Sequence, residues 1–376
     1  MSERFPQIPA PVIISPDYEG TLKRVKSEYQ GLTGHYPDTN DPETFLLEQV
    51  AYEREELVDD INETAKQNLL GYATDGNLDN LGALVETLRL DASAATASAT
   101  LTLVSGHPDF VLATGYQVMA KDGITLFATT ADIPITTAMN SVDTILTATE
   151  VGIAANGFLP GEIATPVTQN NYVSTATNTT TSQGGAEVEN DDKYARRIYL
   201  APSRFSVAGP YDAYKYFARS ASPAISDVAV WSPEPNDIYI SAVLDNGVVP
   251  DAAIKQAMLD ICSDKRTRPL GDRVSAIDSV GVTASGVINV QIYKASEALE
   301  ASIKQTASNR VAALTGQWCG QLGRDIVPEA LTSIVQNIGG VYRATTDIEY
   351  QQLDTNQFPL VTITDIVTSI VDEVEA

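Results

Sequence analysis

The stretch Gly184–Ile198, GGAEVENDDKYARRI, separates two parts of the chain that differ in composition. Two glycines favour a turn, Asn190 or Asp191 can cap a helix, and acidic residues stabilise the positive end of a helix. We therefore predict that a helix begins at Asp191. An alternative hypothesis is that the carboxylates of Glu187 and Glu189 are the acid and base of a glycan hydrolase. Helix capping explains the same residues more simply.

Before this stretch the chain is poor in charge and rich in Thr, Ala, Ser and Val. Apolar and polar residues alternate from Ala99 to Leu103, and Ile133–Thr136 and Thr144–Thr147 are further strand candidates. We predict a small all-β module over residues 91–173. The Thr- and Gly-rich residues 174–185 are predicted to form a linker or an extended crossing segment.

The first 90 residues predict a helical N-terminal region. Asp41-Pro42-Glu43 is typical of a helix start, because Asp caps a helix and Pro is tolerated at its first position. Helices are also predicted around residues 19–29 and, after a turn at 74–76, over residues 78–88. The long helix carries an apolar stripe with spacings of three, four or seven residues. Its members are Leu46, Val50, Leu57, Ile61, Ala65 and Leu69. The stripe is either internal core or an interface for partner helices.

After Gly185 helical and strand patterns alternate, which predicts two α+β modules in series over residues 186–282 and 283–376. The predicted fold class is therefore multidomain α+β. Helices are predicted at 191–202, 210–221, 250–263, 298–314 and 328–338. Strands are predicted at 225–231, 238–244, 274–280, 287–292, 341–350 and 360–364.

Composition and isolated residues argue against several functions. A net charge of −25 repels nucleic-acid phosphates and anionic lipids, so neither is an expected partner. Cys262 and Cys319 give no disulfide framework, and His35 and His107 stand far apart, so we expect no metal or cofactor. No apolar run reaches the length of about 18 residues that a membrane span needs. No sequence motif marks a catalytic residue, and we expect no enzyme activity.

The stretch 184–198 resembles the signature of the baseplate J family, in which a glycine pair and an acidic run precede arginines on a helix. Asn190 and Lys193 depart from the usual pattern. Further segments resemble the family in the same order, namely 41–53, 61–63, 69–73, 78–81, 152–163, 208–214, 225–230 and 268–274. Together they cover most of residues 41–280. The last hundred residues share the alternation of helical and strand patterns but contain no motif of the family.

The resemblance implies a structural subunit of the inner wedge ring of a contractile phage tail or a related injection system. Such a subunit is made and assembled in the host bacterial cytoplasm and ends in the baseplate of the virion. Its expected partners are other wedge proteins, the hub or spike, sheath or tube-initiator proteins, and further copies in a six-fold ring. Host contact would rearrange the ring and release sheath contraction, with residues 174–185 as a hinge. The alternative is a peripheral tail adhesin whose β-module binds the receptor.

Overall fold

The computed structural model describes Arg4 and residues 10–206, 209–264 and 267–372. The chain divides into two compact units. The first unit contains residues up to Arg89 together with Asp191–Tyr199, and the second contains Leu90–Asn190 together with the residues from Leu200 onwards. The predicted fold class is confirmed, since N-terminal helices are followed by a barrel-like sheet and two α+β modules.

The first unit contains the helices α1 (Tyr18–Thr33), α2 (Pro42–Lys66), α3 (Asp75–Leu84) and nearly all of α4 (Asp191–Leu200). The predicted start of α2 is confirmed, with Asp41 at the cap position and proline next. The Asp41 carboxylate makes no capping bond. It accepts a hydrogen bond from the Asp38 backbone N–H at 2.7 Å and lies 3.0 Å from His35 Nε2.

The turn predicted at residues 74–76 is wrong, because α3 begins at Asp75. The predicted end of this helix is also wrong, since α3 ends at Leu84 and Leu88 lies beyond it. Glu86, two residues past the end of α3, has a φ of 49°, which is left-handed backbone that does not continue a right-handed helix. The apolar spacing therefore continues past the point where the backbone stops being helical.

The sequence predicts α4 as part of the first α+β module, but Asp191–Tyr199 belongs to the first unit. Tyr194, Ala195 and Ile198 share a buried core with Ala73 and Leu78. The module boundary at residue 186 is therefore wrong for this helix. An amphipathic pattern shows that a helix has an apolar face, but it does not show which neighbour covers that face.

The second unit begins with a barrel-like sheet of six strands in the order β7-β3-β4-β6-β1-β8, beside a separate β2-β5 pair. Alternate residues of β1 point inwards, as the predicted alternation requires, and Ala99, Leu101 and Leu103 are buried. The strands are β1 (Ala94–Leu103), β2 (Phe110–Leu112), β3 (Gln117–Ala120), β4 (Leu126–Thr129), β5 (Ile133–Ile135), β6 (Ser141–Val151), β7 (Ile163–Pro166) and β8 (Val173–Asn178).

Asn178 joins the two ends of this sheet. Its side-chain oxygen accepts hydrogen bonds from the backbone N–H groups of Gly161 at 3.0 Å and Ile163 at 2.9 Å. Its side-chain nitrogen donates to the carbonyl oxygens of Leu159 at 2.9 Å and Thr180 at 2.8 Å. Asn178 belongs to β8 and Ile163 begins β7, so one buried amide closes the barrel between its two edge strands.

Of the two forms predicted for residues 174–185, the linker is wrong and the extended segment is found. Most of β8 lies in this segment and pairs antiparallel with β1, with Ala176 opposite Leu101. Gln183 then forms a further bridge with Thr96. Threonine is common in strands because its branched side chain suits a pleated surface. The segment completes the barrel, and the hinge predicted there stays a prediction.

Two three-stranded sheets with helices follow. The first has the order β11-β10-β9, and the second has the order β13-β12-β14. In each, the middle strand pairs antiparallel with one neighbour and parallel with the other. The first module contains α5 (Tyr211–Arg219), β9 (Ile225–Trp231), β10 (Asp237–Leu244), α6 (Ala252–Cys262) and β11 (Arg273–Ala276). The second contains β12 (Val280–Tyr293), α7 (Glu300–Trp318), α8 (Pro328–Gln336), β13 (Val341–Thr346) and β14 (Gln357–Val371).

Candidate assembly interface

Four residues of the predicted apolar stripe are exposed on α2. Leu46 is 71%, Val50 54%, Leu57 61% and Ile61 45% exposed. Successive residues of an α-helix are rotated by about 100°, so these four side chains fall on one narrow strip. We call them the exposed stripe. Of the other two predicted members, Ala65 is partly buried, and Leu69, at 38% exposure, lies beyond the end of α2.

A different face of α2 makes the internal contacts of the unit. The buried residues of the helix are Thr44, Ala51, Val58 and Asn62. The Asn62 side-chain oxygen accepts hydrogen bonds from the backbone N–H groups of Ile13 and Ile14 at 2.9 and 3.0 Å. This face already packs against the rest of the first unit, so the exposed stripe does not contribute to that internal packing. The role of the stripe as a partner-helix interface stays a prediction.

Acidic side chains line one flank of the exposed stripe. Glu53, Glu56, Asp60 and Glu63 are exposed and follow one another at spacings of three, four and three residues, which places them side by side. We call these four residues the acidic row. A hydrogen bond from Tyr52 to Glu56 raises the pKa of that tyrosine, and Glu53 accepts one from Gln49 Nε2 at 2.7 Å.

Cations are scarce beside this row. Lys66 pairs with Glu63 at 2.8 Å at the end of the helix. Arg54, on the other flank of the stripe, donates from Nη1 to Glu55 at 2.7 Å and to Thr21 Oγ1 at 2.9 Å. Among the described residues, Glu53, Glu56 and Asp60 have no ion-pair partner. Three of the four carboxylates in the row therefore carry negative charge that no described side chain offsets by an ion pair.

The two glutamates considered as catalytic residues hold backbone groups. Glu187 Oε1 accepts a hydrogen bond from the Ile153 N–H at 3.3 Å. Glu189 is 4% exposed, and its Oε2 accepts one from the Leu90 N–H at 3.0 Å. The backbone N–H of Glu189 donates to the Leu90 carbonyl oxygen, also at 3.0 Å. These contacts give both carboxylates a structural role.

The glycine pair before them is also fixed by its surroundings. Gly184 has a φ of 85°, which side chains disfavour. A Cβ atom at Gly185 would collide with the Gly152 carbonyl oxygen. The Asn156 side chain donates to the Gly185 carbonyl oxygen at 2.7 Å and accepts from its N–H at 2.9 Å. The pair therefore permits close backbone packing.

Tyr194, in the same stretch, is a core residue that sequence reasoning missed. It is fully buried in the first unit, and its hydroxyl donates to the Thr87 carbonyl oxygen at 2.7 Å. The Arg89 guanidinium lies 4.7 Å from the ring centroid and pairs with Asp79 at 2.9 Å and Asp191 at 2.8 Å. The sequence indicates the burial of Tyr194 only through its spacing of four residues from Ile198, which places both side chains on one face of α4.

The remaining candidates for chemistry are structural. Burial raises the pKa of the Cys262 thiol to about 12, and burial also raises that of Cys319, so neither favours a thiolate at neutral pH. Each ring nitrogen of His107 lies 2.9 Å from a backbone carbonyl oxygen, those of Pro108 and Met139. Within the described ranges, no three His, Cys, Asp or Glu residues are grouped to hold a metal ion. No described helix combines the length and apolarity of a membrane span.

Three family models match the chain in sequence. They are the Baseplate J-like N-terminal domain over residues 40–96, the Baseplate J-like protein barrel domain over 98–185 and the Baseplate J-like central domain over 206–278. The barrel model therefore includes residues 174–185, the predicted linker or extended segment. Baseplate protein J of Escherichia phage P2 is 32% identical over 164 residues, which are 42% of this chain and 51% of that protein. The match spans about half the length of this relative.

Among solved structures, a chain in the cryo-EM structure of the anti-feeding prophage baseplate, 6-fold symmetrised, is similar at 10% identity. The match covers 91% of this chain and 90% of that chain with a TM-score of 0.36, which supports no conclusion by itself. The three family models together span more than half of the chain and follow the observed order of helices, barrel and central module. The chain therefore belongs to the baseplate J-like family.

Proposed function

We propose that the chain is a non-enzymatic structural subunit of the baseplate of a contractile phage tail or a related contractile injection system. Its place would be the inner wedge ring, where it joins wedges around the hub or spike and couples host contact to sheath contraction. The observation that carries this proposal is the family match over three consecutive domains.

The exposed stripe supports an assembly role. Soluble chains seldom leave several large apolar side chains in line on one helix, because burial of such a side chain stabilises by about 1.5–3 kcal/mol. Leu46, Val50, Leu57 and Ile61 gain this only when another helix covers them. We propose that partner helices of the wedge do so in a bundle.

The remaining partners follow the same proposal. Further copies of the chain would form a ring, which requires heterologous interfaces that close under rotation, and we expect six-fold symmetry. Other wedge proteins, the hub or spike, and sheath or tube-initiator proteins would contact the ring. The chain would be assembled in the host cytoplasm and reside in the virion baseplate.

The test compares neighbouring residues on α2. The double variant Leu57→Asp/Ile61→Asp changes the exposed stripe, and Val58→Asp changes a buried position on the internal face. We expect Leu57→Asp/Ile61→Asp to retain the wild-type circular dichroism spectrum and melting curve but to be missing from purified tails. Val58→Asp should lower the melting temperature.

Three outcomes would contradict the proposal. Particles that assemble and contract normally without the chain would exclude a structural role. A Leu57→Asp/Ile61→Asp protein that unfolds would show that the stripe is internal. Tails that assemble without the chain but lose binding to host cells would favour the peripheral adhesin.

A further inference from the structure

The acidic row specifies what kind of helix can cover the exposed stripe. Glu53, Glu56 and Asp60 stand beside the apolar side chains and have no ion-pair partner among the described residues. A helix that docks on the stripe would bring its own flanking residues within reach of this row. Burying these carboxylates at an interface without cations would cost free energy, because each would lose water without gaining a counter-charge.

A second copy of α2 does not supply those cations in an antiparallel arrangement. The spacings between the stripe residues are four, seven and four, so two antiparallel copies align Leu46 with Ile61 and Val50 with Leu57. A two-fold axis, however, places each flank beside the same flank of the other copy. In this alignment Glu53 and Glu56 lie near the same residues of the other copy, where like charges repel. Asp60 lies at the level of residues 44–47, which carry no cation.

A parallel copy does not supply them either. In that arrangement the acidic row faces the opposite flank of the other helix, and on that flank Arg54 is the one basic residue of α2. Arg54 already bonds to Glu55 and Thr21 within its own unit. Self-pairing in either direction therefore leaves most of the acidic row uncompensated.

We infer that the occupant of the exposed stripe is an amphipathic helix of a different protein, with Lys or Arg side chains beside its apolar seam. This inference rests on the proposed function and specifies the partner at that interface. The basic residues would pair with Glu53, Glu56 and Asp60, while apolar residues cover Leu46, Val50, Leu57 and Ile61. Opposite charges on the flanks would select this partner over another copy of the chain.

The experiment uses two fluorescein-labelled amphipathic peptides of about four heptads, with Leu at the seam positions. One peptide has Lys on both flanks and the other has Glu. Fluorescence anisotropy against the full chain should show that the Lys peptide binds at least about tenfold more tightly. Leu57→Asp/Ile61→Asp should remove binding, and Glu53→Lys/Asp60→Lys should reverse the preference.

The matched control is Glu19→Lys/Asp59→Lys. It changes the net charge by the same amount, but both residues are exposed and lie off the acidic row. The control should keep the preference for the Lys peptide. If it loses that preference to the same extent, the total charge of the chain drives binding and the inference fails. Sedimentation that shows self-association abolished by Leu57→Asp/Ile61→Asp would also overturn it.

Incorporation into tails separates this inference from the proposed function. We expect Glu53→Lys/Asp60→Lys to be excluded from assembled particles and Glu19→Lys/Asp59→Lys to be incorporated. If Leu57→Asp/Ile61→Asp is excluded while Glu53→Lys/Asp60→Lys enters normally, the stripe is an interface but its partner is not basic. Particles that assemble fully without the chain would instead contradict the proposed function itself.

Discussion

The hydroxyl of Tyr194 donates a hydrogen bond to the backbone carbonyl oxygen of Thr87, at 2.7 Å, inside the core of the first unit. The two residues are more than a hundred positions apart in sequence. The contact ties α4 to the segment that follows α3. It leaves little space around Gly82, where a Cβ atom would collide with the Tyr194 hydroxyl.

Two glycines of α3 should therefore respond in opposite ways to alanine. Gly82→Ala should lower the free energy of unfolding by about 1–3 kcal/mol, because the added methyl group forces Tyr194 or Thr87 to move. Gly76→Ala, which meets no atom within 4 Å, should raise it by up to about 1 kcal/mol through helix propensity. Urea unfolding of both variants provides the measurement. Equal effects would show that Tyr194 does not restrict Gly82.

Asn178 should be essential to barrel stability. Asn178→Ala removes four hydrogen bonds and leaves the buried N–H of Ile163 without its acceptor. We expect a loss of about 2–4 kcal/mol in unfolding free energy. The control is Asn140→Ala at an exposed position, which should change it by less than about 0.5 kcal/mol. Similar values for the two variants would contradict the role of Asn178 in closure.

His107 should make the barrel less stable as pH rises. Hydrogen bonds to the Pro108 and Met139 carbonyl oxygens raise the pKa of His107 above its ordinary value of about 6.5. The charged ring therefore contributes its full stability below pH of about 6.5, and this is lost as pH rises through the folded-state pKa. Urea midpoints at pH 6 and pH 8.5 should differ more for the wild type than for His107→Gln.

Asn140, which does not titrate, is the control for this pH dependence. Asn140→Ala changes an exposed residue, so its urea midpoints should shift between the two pH values as those of the wild type do. If His107→Gln keeps the wild-type pH dependence, groups other than His107 are responsible.

Glu189 should contribute to stability and not to catalysis. Glu189→Gln weakens the bond to the Leu90 N–H and should lower the unfolding free energy by about 1–2 kcal/mol. Glu187→Gln, at an exposed position, should have a smaller effect. Incubation of all three proteins with peptidoglycan should release no soluble glycan. Release by the wild type that both substitutions abolish would establish a hydrolase.

Local structure was predictable where periodicity and helix or turn signals coincide. The strand at residues 225–231 matches β9 residue for residue, and the start of α2 at Pro42 follows from Asp41-Pro42-Glu43. The acidic residues of α2 were visible in the sequence. Their alignment as a row beside an exposed stripe required the structure, because it depends on which face of the helix packs internally.

Features that depend on distant contacts were not predictable. The amphipathic pattern of α4 gives no sign that its apolar face joins residues from the start of the chain. The Thr-rich residues after Tyr172 resemble a linker in composition, but backbone pairing with β1 makes them strand. The role of Asn178 was not predictable, because a single polar residue in such a segment does not indicate that its side chain bonds to four backbone groups.

The division of the first unit between two distant parts of the chain has a consequence for biosynthesis. Its core needs Tyr194, Ala195 and Ile198, which leave the ribosome only after the whole barrel has been translated. The early helices cannot complete their core until α4 has emerged from the ribosome, whereas the barrel strands can pair as soon as β8 emerges. A nascent chain arrested when β8 has left the ribosomal exit tunnel but α4 is still inside it should therefore expose the early helices to proteases while the barrel resists them.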